Sequence, residues 1–220
     1  MHDPRSHSRR ERYPGYDVLS KRNSLSWNEQ TRRVITRRLA VNPEPRFFSS
    51  HEFRTVAAIA ARLVPQPVGR PPVPVAALVD QRLFLGKSDG YRESGMPRDG
   101  EAWKLGLKAL DSEAGAMHGK PFRELQPPAQ ENLLRQMQTG DLTSPAWAGM
   151  KPASFFKKRM ARDVVMSYYA HPSAWSEIGW GGPASPRGYV RLDFNERDPW
   201  EPAEANGAND EAAKRINRHV

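Results

Sequence analysis

Residues His171 to Leu192 read HPSAWSEIGWGGPASPRGYVRL, with four glycines, three prolines, two tryptophans, a tyrosine and arginines at 187 and 191. Glycines beside an arginine can cradle a phosphate. A Walker loop, however, needs GxxxxGK[ST], and a dinucleotide site needs strand, GxGxxG and helix in that order. Here the glycines follow a predicted helix and lead to none, so the order is wrong for holding phosphate. Nucleophilic chemistry is no better served: there is no GxSxG, and without cysteine a thiol route is closed. Ser50-His51 and His171-Pro172-Ser173 are sequence neighbours without the spacing of a triad. Asp111 and Glu113 lie two apart on a predicted helix, hence on different faces, and Glu52 is taken by a helix cap. The six histidines are scattered singly, with no HxxxH or HxH pair, and the missing cysteines exclude thiolate zinc and iron–sulfur ligation. We therefore assign no catalytic, cofactor-binding or metal-ligating residues.

The same stretch is suited to touching protein. Trp175, Trp180 and Tyr189 offer large amphipathic surfaces of low conformational entropy, the residue types that interfaces concentrate. Pro172, Pro183 and Pro186 stiffen the backbone, and Arg187 and Arg191 carry planar donors for carboxylates. The partner-interface candidates are His171, Trp175, Trp180, Pro183, Arg187, Tyr189 and Arg191. Two uses stay open: docking onto a partner, or folding back to plug the chain's own helices.

These residues need elements to hold them. Ser26 to Glu29 (SWNE) predicts a capping box opening a basic helix over 27–40, with Arg32, Arg33, Arg37 and Arg38 and only a thin apolar stripe. Ser49 with Glu52 predicts a second box. The helix it opens carries Phe53, Val56, Ile59, Ala60 and Leu63 at spacings of three and four. Five prolines in 65–74 predict a polyproline-like connector, and Pro74 to Gly86 a third helix. Further helices are predicted from Glu101 to Gly119, from Pro128 to Gly140, and from Ala153 to about residue 170. In the last of these, Phe156, Met160, Val164 and Tyr168 form a stripe thickened by Phe155 and Val165. GYVRLDF (188–194) predicts one short extended segment. The fold class is all-α: an irregular bundle of six or seven helices with long Pro/Gly-rich loops and extended termini. The expected division is a basic arm with an edge helix (1–46), a helical domain (47–194) and a polar tail (195–220), disordered past Trp200.

Formal charge is +9 over 220 residues, and residues 1–40 carry ten basic against four acidic side chains, while 41–220 carry 24 against 21. A basic arm can bind an acidic surface, and we expect it to lie on protein, because no RNA- or DNA-binding motif accompanies it. No apolar run approaches the ~18 residues that suggest a membrane span. Ser8-Arg9-Arg10 has the look of a twin-arginine signal, but no apolar region follows it, so no export signal is expected.

FFSSHEFRTVAAIAARLVPQP (47–67), a GLxxLD element (Gly106, Leu107, Leu110, Asp111) and an FF…YYAHP…W…EIGW…GY pattern (Phe155 to Tyr189) resemble the small subunit of gluconate 2-dehydrogenases, subunit 3. The resemblance covers about 47–192. It implies a non-catalytic accessory subunit that supports folding, export and stability of a large FAD-containing dehydrogenase of the glucose-methanol-choline type, often alongside a cytochrome c subunit. The FAD would sit in that partner and not in this chain. Members of the family often carry a twin-arginine signal, where this sequence has its basic arm. The expected location is therefore cytoplasmic, or periplasmic if a partner's signal exports the complex. Two other readings stand beside it: a basic nucleic-acid-associated helical protein using the arm and the 27–40 helix, and a stand-alone enzyme with a site around His171, Glu177 and Arg187.

Overall fold

The computed structural model describes residues 11–67, 69–88, 90, 94–185, 188, 194 and 196–220. In chain order its helices are α1 (Glu29–Leu39), α2 (Ser50–Leu63), α3 (Val75–Phe84), α4 (Asp99–His118), α5 (Pro127–Thr139), α6 (Pro152–Phe155), α7 (Ala161–Tyr169), α8 (Pro172–Ile178) and α9 (Asp210–Asn217). Short 3-10 turns occupy Val18–Asn23, Phe122–Glu124 and Pro145–Trp147, and a π turn at Phe156–Met160 joins α6 to α7. The fold is all-α, and no strand occurs among the described residues. The extended segment expected at 188–194 lies mostly outside them. Two helices go beyond the six or seven read from sequence. Pro172 starts α8 only two residues after α7 ends, and α9 forms within the tail expected to be disordered.

The chain divides into two compact units that cut across the linear division expected from sequence: Val41–Pro65 with Pro74–Tyr168, and Met1–Ala40 with Gln66–Val73 and Tyr169–Val220. In the first, α2 begins with the predicted box. The Glu52 N–H donates to Ser49 Oγ at 3.3 Å and the Ser49 N–H to Glu52 Oε2 at 2.8 Å. The turn leading into it is fixed from α3. Asp80, 2% exposed, accepts the backbone N–H groups of Arg46, Phe47 and Phe48 at 2.8, 3.0 and 2.9 Å. Ring contacts then run inward, Phe47 to Phe48, Phe48 to Trp103 and Trp103 to Phe155, at centroid distances of 5.0, 5.9 and 5.7 Å. Val56, Ile59, Leu107, Leu110, Phe122, Leu133, Met137 and Val164 of the same unit are buried as well.

Gly106 makes this packing possible. A Cβ on Gly106 would come within 2.3 Å of the Phe155 ring, so α4 can approach the buried Phe155 this closely only without a side chain there. The π turn that follows Phe155 takes in one extra residue and so shifts which side chains face inward downstream. Phe155 and Phe156 are both buried, whereas Val165, assigned to the apolar stripe from its spacing, is exposed. The turn also carries Arg159 into the interior, where it pairs with Asp99 and, at 3.6 Å, with Asp163. Asp163 further accepts from the Trp103 indole at 2.8 Å and pairs with Arg82. Burial pushes its carboxyl above the ordinary carboxylate value, while Trp103 and the two guanidiniums pull it back.

In the second unit the sequence reading needs correction at three places. The box predicted at Ser26 with Glu29 does not form. Asn28 caps α1, its Oδ1 accepting the Thr31 N–H at 2.9 Å, because Trp27 is drawn into an isolated parallel bridge with Ser185 and Ser26 is buried with it. The proline-rich segment 65–74 is not a plain rigid connector. The Gln66 side chain closes 66–73 into a loop, donating to Val73 O at 3.0 Å and accepting from Val73 N at 2.6 Å. The tail past Trp200 is anchored rather than disordered. Asn217, 2% exposed, bonds Ala203 through both backbone groups and donates to Pro14 O at 3.0 Å, and the Ala205 N–H donates to Arg12 O at 2.7 Å.

We predict that Gly106→Ala destabilises the chain by about 1–3 kcal/mol through overpacking against Phe155, read as a lowered midpoint of chemical denaturation. An unchanged midpoint would show that Phe155 can move aside.

Candidate interaction site

The sequence marks 171–191 as the place to look. There α7 ends at Tyr169, and His171 caps the next helix, its Nδ1 accepting the Ser173 N–H at 3.3 Å. Pro172 takes the first helical position, where its missing N–H costs nothing. Gly179 ends α8 in the left-handed region at φ +70°, and the Trp180 N–H turns back to Trp175 O at 2.9 Å. The first part of the predicted loop is therefore a two-turn helix that presents Trp175 inward.

Trp175 is 2% exposed and has a full set of partners. Its indole N–H donates to Tyr169 O at 2.6 Å, and the Arg38 guanidinium lies 5.5 Å above its ring while donating to Ala170 O at 3.1 Å. It shares a buried cluster with Tyr16, Val18, Trp27 and Ile35, all from the N-terminal forty residues. The arm is tied to α8 and its flanks at several points. The Val18 N–H donates to Ser176 Oγ at 3.0 Å, the Asn28 N–H to Ser185 O at 2.7 Å, and the Asn28 amide to Ser185 Oγ at 3.0 Å. Tyr13 lies over Gly179 so closely that any side chain there would enter its ring. From the 66–73 loop, Arg70 donates to Tyr16 O at 2.9 Å and Tyr13 O at 3.0 Å and pairs with Glu11.

The candidate residues thus divide. His171 and Trp175 are buried and belong to the chain's own packing. Pro183 is half-buried. Trp180 packs edge-to-face on Trp175 at 4.6 Å and stays 39% exposed, so it alone of the described candidates presents a large free aromatic surface. Arg187, Tyr189 and Arg191 lie outside the described residues. Sequence reasoning missed the other half of the cluster, Tyr13, Tyr16, Val18 and Trp27, although the aromatic YPGY turn was a signal that the arm carries something to bury.

Residues considered for chemistry are committed elsewhere. His171 uses Nδ1 as a cap, and burial, then the nearby Arg38 charge, lower its pKa. His51 contacts Asp111 through Nε2 at 2.6 Å and Arg123 through Nδ1, so both ring nitrogens are occupied. The other oxygen of Asp111 accepts the Phe122 N–H at 2.9 Å. Glu113 accepts the Ser144 N–H at 2.7 Å and the Trp147 indole at 3.0 Å.

The His171 environment fixes a pH dependence. A folded pKa below the unfolded value contributes stability that is present above about 6.5. That stability is lost as pH falls through the lower folded value, since charging the ring also removes the Nδ1 acceptor. Denaturation midpoints measured across this range should fall on acidification for the wild type. His171→Asn keeps a capping acceptor without a titrating ring, and its midpoint should fall less. Equal slopes for the two proteins would remove His171 as the cause.

Among the described residues no helix is long and apolar enough to cross a membrane. No curated protein and no solved structure matches the chain. The family model described as gluconate 2-dehydrogenase subunit 3 matches residues 50–182, from the first turn of α2 to the glycines after α8. Gly106 and Asp111 of the GLxxLD element lie within the match, one admitting the Phe155 ring and the other holding Phe122 and His51. With more than half of its length matched, the chain belongs to the gluconate 2-dehydrogenase subunit 3 family.

Proposed function

We propose that this chain is a non-catalytic accessory subunit that binds and stabilises a large FAD-dependent dehydrogenase of the glucose-methanol-choline type, the flavin residing in the partner. The family is named for one subunit of a dehydrogenase, which indicates an accessory place in such a complex. The observation that carries the finer reading is Trp180. It sits half-exposed on a rigid base formed by Trp175, α8 and the arm, and a preorganised aromatic anchor of this kind loses little entropy on docking. A supporting observation is the employment of the acidic side chains. Asp80, Asp111, Glu113 and Asp163 all accept hydrogen bonds that fasten loops or rings.

The reading expects a flavin-bearing dehydrogenase subunit to co-purify with the full chain from its native host, identified by flavin absorbance. The chain alone should neither bind flavin nor oxidise a sugar or polyol. Trp180→Ala should weaken the association by about 1 kcal/mol or more with the denaturation midpoint little changed. Retention of no flavoprotein would sink the assignment, and an unchanged affinity would return Trp180 to a purely internal role.

A further inference from the structure

The FFSSHEF segment (47–53) and the GLxxLD element meet along one groove in the unit built on α2 to α7. On α4, Lys104, Leu107, Lys108 and Asp111 stand three or four apart and so share one side of the helix. The start of α2 is fastened along that side at two places. Phe47 sits so close to α4 that a Cβ on Gly100 would come within 2.7 Å of its ring, and the Lys104 ammonium lies 4.9 Å from the centre of the same ring. Two turns further along, His51 Nε2 contacts Asp111 Oδ2 at 2.6 Å, while its Nδ1 meets Arg123. A groove of about 510 Å³ opens along this seam, lined by Ser49, His51 and Glu52 on one side and by Lys104, Leu107 and Lys108 on the other.

The charges in the groove are unequally committed. Glu52 accepts the Ser49 N–H at 2.8 Å in the capping box, and the two oxygens of Asp111 take the Phe122 N–H and His51. Lys104 and Lys108 are exposed and, among the described residues, form no ion pair. Helix stability gives no reason for the pair. Like charges four apart weaken a helix, and both lysines lie too far from the C-terminus of α4 to gain from its dipole. Beside them Leu105 is half-buried and Leu107 is 1% exposed, so an apolar strip borders the two ammoniums. Lys104 is held over Phe47 and His51 from both ring nitrogens, which makes the surface largely preformed.

Resting on the accessory-subunit reading above, we infer that this groove docks a short acidic segment of the flavin-bearing subunit. Its carboxylates would meet Lys104 and Lys108, and an apolar side chain would lie against Leu105 and Leu107. Charge complementarity selects this occupant, because the acids of the groove already accept hydrogen bonds and the unmet charge is positive. From Lys104 to Asp111 the helix runs about 10 Å, room for about three extended residues. Ser49 apart, the residues lining the groove lie within the family match at 50–182, and none of them comes from the arm or the tail. Docking here is therefore separate from Trp180, which belongs to the other compact unit.

The test uses the full chain and the flavin-bearing subunit isolated from the native complex. Acylation by an N-hydroxysuccinimide ester, read by mass spectrometry, should be slowed severalfold at Lys104 and Lys108 in the complex relative to the chain alone. Lys108→Glu removes no ion pair from the fold and should weaken association about tenfold at low salt, less at high salt, with the denaturation midpoint unchanged. Lys108→Gln should give an intermediate loss. Equal labelling of both lysines in the free chain and the complex overturns the groove, whatever the variants do. So does charge reversal without effect while Trp180→Ala still weakens association, and the accessory role then stands. If the wild type retains no flavin-bearing subunit, the accessory reading falls and the groove as its docking site falls with it. Duplex DNA is the competing probe. Binding by the wild type at ~0.15 M salt that Lys108→Glu abolishes overturns the acidic segment in favour of a nucleic-acid surface.

Discussion

A carboxylate can be buried only where donors surround it, and in the unit built on α2 to α7 that constraint decides how the loops run. Asp80 gathers three successive backbone N–H groups and so sets the entry angle of α2. Glu113 gathers the Ser144 N–H and the Trp147 indole, which closes the connection between α5 and α6. Asp163 gathers the Trp103 indole and two guanidiniums. Each acid points from its helix into the interior of the unit and draws in groups that would otherwise be unsatisfied donors. Removing one would orphan several partners at once, a cost of a few kcal/mol rather than of a single bond. These side chains are also the ones a search for general acids would single out, and here each accepts hydrogen bonds that fasten the fold.

The other unit rests on Trp175 in a comparable way. Its ring is a surface that α8 by itself cannot cover, and the chain covers it with its own arm. The arm is in turn fastened to three distant stretches of sequence, each by at least one buried or half-buried polar contact: Val18 to Ser176, Tyr16 and Tyr13 to Arg70, Pro14 to Asn217. The family match ends at residue 182 and begins at residue 50. The arm and tail that complete the cluster therefore lie outside the part the family shares, while the tryptophan they cover lies inside it.

How far the sequence could be read follows from how local each cause is. The Ser49–Glu52 box, the glycine stops and the apolar periodicity of α2, α4 and α5 depend on residues within a few positions, and these elements lie close to where they were expected. The all-α class follows from them. The box at Ser26 misled because a bridge to Ser185, far along the chain, claims Trp27 first. The π turn was invisible because its extra residue changes which side chains face inward without changing composition. α9 was missed because its apolar content is slight and its anchor is an asparagine, a residue that reads as polar tail. At the candidate site, the aromatic character of 171–180 was legible. Which tryptophan faces in and which stays partly out was not, because that is decided by the arm.

The hydrogen bond between Asn28 and Ser185 joins residues 157 positions apart, and the bond from Asn217 to Pro14 spans 203. On the ribosome the arm emerges well before the segments that hold it, which lie 157 and 203 positions downstream. Through most of synthesis Tyr16, Val18 and Trp27 stand as an uncovered apolar segment flanked by arginines, while α2 to α5 can already pack on one another through local contacts. Closure of the arm is thus a long-range event that must wait for α8 and α9. Until it occurs, the chain presents its most basic segment and three of its core residues to whatever surrounds it.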